Sequence, residues 1–257
     1  MKYIYLRSSD LAKLTGHNKY QTLEKTINEL LSRNGIQDRY VPKSNIEEQL
    51  VQLSEDKLIS LKKELNLSES TSLQEVERII KSSVMGNSYS SKLSEEESKK
   101  NIDEKLKGKD VLQSLESGIK QDLRMKRGNI KENSNLDKIQ SQKKITIEKR
   151  NSKMYTKELY RGDKYCLIIR GKVDGLSDNT IIESKNRTKY LFNELRDYER
   201  VQLECYMFLT GYNNSILTEH YNDESNCIEY THDEKFWHDC YEKIITFIDT
   251  HISHYLS

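Results

Sequence analysis

The sequence predicts an α+β protein in which a helical N-terminal half precedes a half of alternating short strands and amphipathic helices. Three observations carry that prediction. Leucine and isoleucine recur at helical spacing through residues 46–83, with Leu50, Leu53, Leu58, Leu61 and Leu65 followed by Val76, Ile79 and Ile80. From Met154 onward, short apolar runs alternate with turn-rich segments. A single proline in 257 residues leaves the helices few rigid interruptions.

In chain order, residues 7–20 hold a short helix. Ser8, Ser9 or Asp10 caps it, Leu11 and Leu14 form its inner face, and Gly16 ends it. Its N-terminus offers spare backbone N–H groups beside Arg7 and Ser9, so it is either a phosphate site or an ordinary capped helix. A second helix covers 22–33 and stops at Asn34-Gly35. Two more fill 46–83, broken at 68–72. Residues 82–101 are rich in Ser, Lys and Glu and read as a mobile loop or a solvated helix.

A long helix is expected over 109–135. Residues 119–150 carry ten Lys/Arg against four acids, a net +6 and the one strongly basic block. Such a stripe is either a solvated helix face or a phosphate-backbone contact. Strands follow at 153–160, 164–173 and 180–186, then a helix at 193–210 and strands at 215–221 and 226–231. A C-terminal helix, 233–254, presents Phe236, Trp237, Tyr241, Ile244, Ile245 and Ile248. The division is therefore expected near residue 110, between a helical region 1–110 and a mixed region 111–257.

Composition narrows the classes. The net charge is +1, so any attraction for nucleic acid has to be local. The four cysteines, Cys166, Cys205, Cys227 and Cys240, lack zinc-ligand spacing and are expected to be reduced thiols packed as small hydrophobes. The N-terminus has no signal-peptide core, and no apolar run approaches the ~20 residues of a membrane span. A soluble, intracellular protein without a membrane partner is expected.

The stretch 171–187 carries the chemistry. It reads as two strands around a turn at Ser177, Asp178 and Asn179. Alternation puts Glu183 and Lys185 on one face, with Ile182 and Ser184 on the other, and Asp174 at the end of the first strand. Two carboxylates and an amine then share one patch. They are either ligands for a hard cation such as Mg²⁺ or Mn²⁺, or charges on a surface hairpin. In the helix 193–210, Tyr198, Gln202 and Tyr206 recur at i, i+4, i+8 with Arg196 and Arg200 nearby. That stripe either lines a groove beside the hairpin or is a wet helix edge.

Together these residues resemble the PD-(D/E)XK nuclease superfamily. Asp174-Gly175 is similar to its second acidic motif, Glu183-Ser184-Lys185 to its E-x-K motif, and Gln202…Tyr206 to the Q-x-x-x-Y signature of the RecB-like branch. Arg127-Gly128…Glu132 resembles the helix that supplies the family's first acid. Ser8-Ser9-Asp10…Leu14-Thr15-Gly16…Tyr20 resembles the opening segment of the lambda-exonuclease-like and YqaJ-type viral recombinase exonucleases. The motifs fall in the family's order. Val173 stands where many relatives have proline, Ser184 replaces an aliphatic residue, and residues 36–110 match no family motif.

The resemblance implies a restriction-endonuclease-like mixed sheet flanked by helices over 111–257. It implies a DNA exonuclease using one or two Mg²⁺ or Mn²⁺ ions, acting 5′→3′ on duplex or single-stranded ends in phage or viral recombination, replication or repair. Glu132, Asp174 and Glu183, with the backbone carbonyl of Ser184, would hold the metal. Lys185 would position the water or act as base and stabilise transition-state charge, while Gln202 and Tyr206 line the site. Glu116, Glu148 and Asp178 remain alternatives to Glu132. Arg7, Ser9, Arg127, Arg187, Lys189, Arg196 and Arg200 are the expected nucleic-acid contacts. DNA ends, a single-strand annealing or replication protein, and further copies of the chain are the candidate partners. A structure-specific endonuclease or RNase on the same core, or a non-catalytic DNA-binding protein, are the competing readings.

Overall fold

A computed structural model describes residues 1–90 and 92–256 of the chain. It is an α+β fold with two mixed β-sheets, as the alternation of strand and helix patterns predicts. The chain forms two compact units: Met1–Val41 with Asn133–Ser257, and Pro42–Glu132. The expected boundary near 110 is thus displaced, for two reasons. The first forty residues contribute a strand to the sheet unit, and the long basic helix is shared between units.

In chain order the sheet unit begins with β1 (Lys2–Arg7), a 3-10 turn at Ser8–Asp10, α1 (Leu11–Leu14) and α2 (Leu23–Arg33). The helical unit holds α3 (Asn45–Leu50), α4 (Glu55–Glu64), α5 (Leu73–Ile79), α6 (Glu95–Leu106) and α7 (Asp110–Ser114). Helix α8 (Glu116–Lys143) follows, and the sheet unit resumes in its C-terminal part. Then come β2 (Met154–Arg161), β3 (Tyr165–Lys172), β4 (Gly175–Ser177), β5 (Thr180–Asn186), α9 (Asp197–Thr210), β6 (Asn214–Tyr221), β7 (Glu224–Thr231) and α10 (Glu234–His251).

The helical unit corrects the reading of residues 82–101. Ile80–Met85 form a π-turn, Gly86–Tyr89 a 3-10 turn, and α6 starts at Glu95 behind a capping box made by Ser94 and Glu97. The segment is held by Arg127, which was expected on a nucleic-acid face and is instead wholly buried. Its guanidinium donates to Glu95 Oε1 at 3.0 Å, Ser98 Oγ at 2.6 Å, and the carbonyls of Ser90 at 2.9 Å and Leu93 at 2.8 Å. Ile46, Leu50, Leu61, Val76, Ile80, Ile102, Leu112 and Ile119 fill the core of this unit. The leucine periodicity of the sequence is this core.

The sheet unit contains an element that sequence patterning misses. Strand β1 pairs in parallel with β3, which pairs antiparallel with β2, giving the order β1-β3-β2. Its core-facing Ile4 and Leu6 alternate with exposed Tyr3 and Tyr5, a period-2 pattern only six residues long. The free edge of β1 is closed by Asn34. The Asn34 side chain accepts from the Tyr5 N–H at 2.7 Å and donates to the Tyr5 carbonyl at 3.2 Å. The second sheet has the order β4-β5-β6-β7, with β5 and β6 parallel. The expected hairpin is therefore β4–β5, turning at Asp178 and Asn179, and its longer neighbour β3 belongs to the other sheet.

Asp174 lies in the two-residue passage, Val173 and Asp174, between the sheets. Gly175 follows, and a Cβ there would sit 2.5 Å from Ile147 Cγ2, so any larger residue would displace that side chain. One face of β5 and β6 packs on α8 through Ile182, Leu136, Ile139 and Ile147. The other face carries Ile181 and Leu217 into the core with α1, α9 and α10.

His220, on β6, is buried and neutral. Burial, reinforced by the nearby Lys138 ammonium, pushes its pKa down to about 4. In the unfolded chain a histidine titrates near 6.5, so below that pH the unfolded state binds the extra proton and stability falls until the native ring also titrates. The urea midpoint is expected to drop as the pH falls from 6.5 towards 4, and to drop less in His220→Asn. Parallel profiles for the two proteins would show that His220 is not the titrating group.

Candidate active site

Alternation along β5 delivers what the sequence predicts of it. Glu183 and Lys185 share the face turned to α9, and Ile182 packs on the other side against α8. The Lys185 ammonium donates to Glu183 Oε1 at 2.6 Å and to Gln202 Oε1 at 3.1 Å. The Gln202 amide N–H₂ donates back to Glu183 Oε1 at 3.0 Å and to the Tyr206 hydroxyl at 2.7 Å. Gln202 and Tyr206 lie one turn apart on α9, so one helical stripe reaches both the acid and the amine. The Tyr206 hydroxyl also meets Ser8, at the end of β1.

Asp174 reaches the same place from the passage between the sheets. Its Oδ2 accepts from the Ser184 N–H at 2.8 Å, which fixes the carboxylate against the middle of β5. Glu183 Oε2 is buried and takes no hydrogen bond. Burial first, then the neighbouring Asp174 charge, push the Glu183 pKa well above the usual carboxylate range. For Lys185 burial works against the charged form, but Glu183, Asp174 and Glu199 outweigh it and raise its pKa.

Two carboxylates in mutual repulsion, one with an orphaned buried oxygen, are a donor set that a small hard cation fits. Asp174, Glu183 and the Ser184 carbonyl could hold it. Among the described residues no group of three or more His, Cys, Asp or Glu side chains converges as a metal cluster. Glu132 belongs to the helical unit, as its last residue. Of the alternatives to it, Glu148 is an isolated bridge partner of β4: its N–H donates to the Leu176 carbonyl at 2.6 Å, and its side chain is exposed. Asp178 is an exposed turn residue.

Several of the expected nucleic-acid contacts are engaged within the protein. Arg187 is 8% exposed. It donates to both oxygens of Glu199, at 2.7 and 3.1 Å, and to Glu219 Oε1 at 2.6 Å. Arg200 bonds the Tyr230 hydroxyl at 2.8 Å, pairs with Asp233 and covers the Phe236 ring. It thereby ties α9 to the start of α10. Arg196 pairs with Glu194 and lies over Phe192. Arg7, Ser9 and Lys189 are exposed.

Sequence reasoning missed the buried acids Glu199, Glu204 and Glu219. Glu219 shares the β6 face of Leu217, so an acid in phase with a core position was the available signal. It accepts from the backbone N–H of Phe192 at 3.3 Å and of Asn193 at 2.8 Å, and so pins the loop between β5 and α9. Glu204 accepts from the Asp233 N–H at 2.8 Å and pairs with Tyr230 and His232. The cysteines are free thiols, and no helix among the described residues is long and apolar enough to cross a membrane.

Neither a family model nor a curated protein sequence matches the chain. Among solved structures it is similar to an alkaline exonuclease, LHK-Exo, from Laribacter hongkongensis. The identity is 12%, over 51% of this chain and 70% of that one, with a TM-score of 0.42. The same exonuclease in complex with dAMP gives 12%, 51% and 70% with a TM-score of 0.43. The crystal structure of SSO0001 is 16% identical over 76% of this chain and 88% of its own, with a TM-score of 0.35. Likeness at this level carries no conclusion about activity.

Proposed function

We propose that the chain is a metal-dependent phosphodiesterase of the nuclease class, acting on DNA ends as a 5′→3′ exonuclease. The observation that carries this reading is the convergence of Asp174, Glu183 and Lys185 around the unsatisfied Glu183 Oε2, with Gln202 and Tyr206 behind them. The order of the sequence motifs supports it independently. A bound Mg²⁺ or Mn²⁺ supplies charge neutralisation at a phosphate and acidifies water. Asp174, Glu183 and the Ser184 carbonyl would hold it, with Glu132 assigned as third acid from its motif alone.

The chain's own groups do the rest. The Ser184 N–H orients the Asp174 carboxylate. Gln202 holds Glu183 and the Lys185 ammonium in one hydrogen-bonded array, so the ammonium points at the acids rather than into solvent. From there Lys185 can donate to a non-bridging phosphate oxygen as charge builds in the transition state. Tyr206 and Ser8 keep the Gln202 amide in its orientation. Exposed Arg7, Ser9 and Lys189 are the remaining candidates for phosphate contact.

The test uses 5′-labelled linear duplex, single-stranded DNA and covalently closed circles, each with Mg²⁺, Mn²⁺ or EDTA. Mononucleotide release from linear DNA that needs the cation and spares circles is expected. Cleavage of circles would convert the reading to an endonuclease, and cleavage of RNA alone to an RNase. No phosphodiester cleavage with either cation would overturn it.

A further inference from the structure

The outer face of the β1-β3-β2 sheet is uncovered, and its composition is unusual for bare surface. Alternation places Tyr3, Tyr5 and Arg7 of β1 beside Ile168, Arg170 and Lys172 of β3 on that face. Tyr3 is 52% and Tyr5 37% exposed. The Arg170 guanidinium lies 3.8 Å from the centroid of the Tyr5 ring, a pair preassembled at the surface. Among the described residues Arg7, Arg170 and Lys172 have no carboxylate partner, whereas the one acid on this face, Glu158, is paired with Arg161. Sheet aromatics interleaved with unpaired cations complement a strand that offers planar bases and regularly spaced phosphates.

The strands of this face also end where the chain enters the candidate site. Arg7 precedes Ser8, which meets Tyr206, and Lys172 precedes Asp174 by two residues. Tyr3, Tyr5 and Arg7 follow one another about 6.6 Å apart along β1, so two rings lead to a cation along the path.

We infer that this sheet face is a binding track for single-stranded nucleic acid, with Tyr5 and Arg170 stacking on a base and Arg7, Arg170 and Lys172 meeting phosphates, delivering the strand to Asp174 and Glu183. As the strand guide of a nuclease it rests on the reading above; as a binding face it does not, and it is measured without hydrolysis. The experiment is anisotropy of a labelled oligo-dT in EDTA, for wild type, Tyr5→Ala, Tyr5→Phe, Arg170→Ala and Arg7→Ala/Arg170→Ala/Lys172→Ala. Its companions are 2-aminopurine fluorescence and photocrosslinking of 5-iododeoxyuridine oligonucleotides.

Tyr5→Ala should bind about tenfold more weakly and lose the 2-aminopurine quench, while Tyr5→Phe keeps both. The triple variant should lower the salt slope of log K by about 0.7 for each lost phosphate contact. Crosslinks in wild type should fall on Tyr3 or Tyr5. An unchanged affinity in Tyr5→Ala with crosslinks elsewhere would overturn the track even if the enzyme cleaves DNA. Equal losses for heparin and for DNA, without any 2-aminopurine quench, would reduce the face to a general polyanion site and overturn the stacking. Retained, Tyr5-dependent binding in a chain that cleaves nothing would uphold the track and sink the nuclease.

Discussion

A Lys185→Ala protein is expected to lose about 10²–10⁴-fold in the rate of phosphodiester cleavage, while its affinity for DNA in EDTA changes little. The reasoning is geometric. Among the described residues the Lys185 ammonium is the one cation hydrogen-bonded to the Glu183 carboxylate, at 2.6 Å, and its second bond is to Gln202. Removing it takes away charge where a phosphate would develop more, and leaves the sheet-face cations untouched. The fold should survive, because a methyl group leaves Gln202 still bonded to Glu183 and Tyr206. Single-turnover rates with saturating enzyme separate this from a binding defect. Wild-type rates in Lys185→Ala would remove the residue from the mechanism and take the assigned centre with it.

Arg187→Met should instead cost stability, about 3–5 kcal/mol, because it strands two buried carboxylates. Glu199 and Glu219 are 1% and 0% exposed, and Arg187 is the cation that neutralises both. The measurement is the urea midpoint at pH 7, with the slope checked for two-state behaviour. The companion Arg187→Met/Glu199→Gln/Glu219→Gln should recover much of the loss, since neutral amides are less costly to leave in the same space. An Arg187→Met protein as stable as wild type would mean that water reaches these acids and that the triad is not a structural lock.

These two arginine and lysine predictions mark where sequence and structure part. Glu183, Lys185, Gln202 and Tyr206 were legible because their spacing, two along a strand and four along a helix, needs only local geometry. Arg187, Arg200 and Arg127 were not. A guanidinium beside a motif looks alike whether it meets a phosphate or an acid of the protein itself, and the acids that claim these three lie 12 to 33 residues away in sequence. Strand β1 was missed because six residues of alternation are too few to stand out, and its partner β3 comes more than 150 residues later. The helical unit shows the same limit from the other side. Its leucines announced helices, but the segment 82–101 read as a mobile loop or a solvated helix, because beyond Val84 and Met85 it is held chiefly by polar bonds to a single distant arginine.

The position of Asp174 has one more consequence. The residue belongs to neither sheet; it sits in the seam where the chain leaves β3 and enters β4, and the Ser184 N–H of β5 holds its carboxylate beside Glu183. The proposed cation site would thus be a coincidence detector for folding. It assembles only once β3 has docked beside β1, from the start of the chain, and β5 has docked beside β6, from near its end. A partly synthesised or partly unfolded chain holds the same acids but cannot bring them together, so hydrolytic competence would arrive last, with the completed fold.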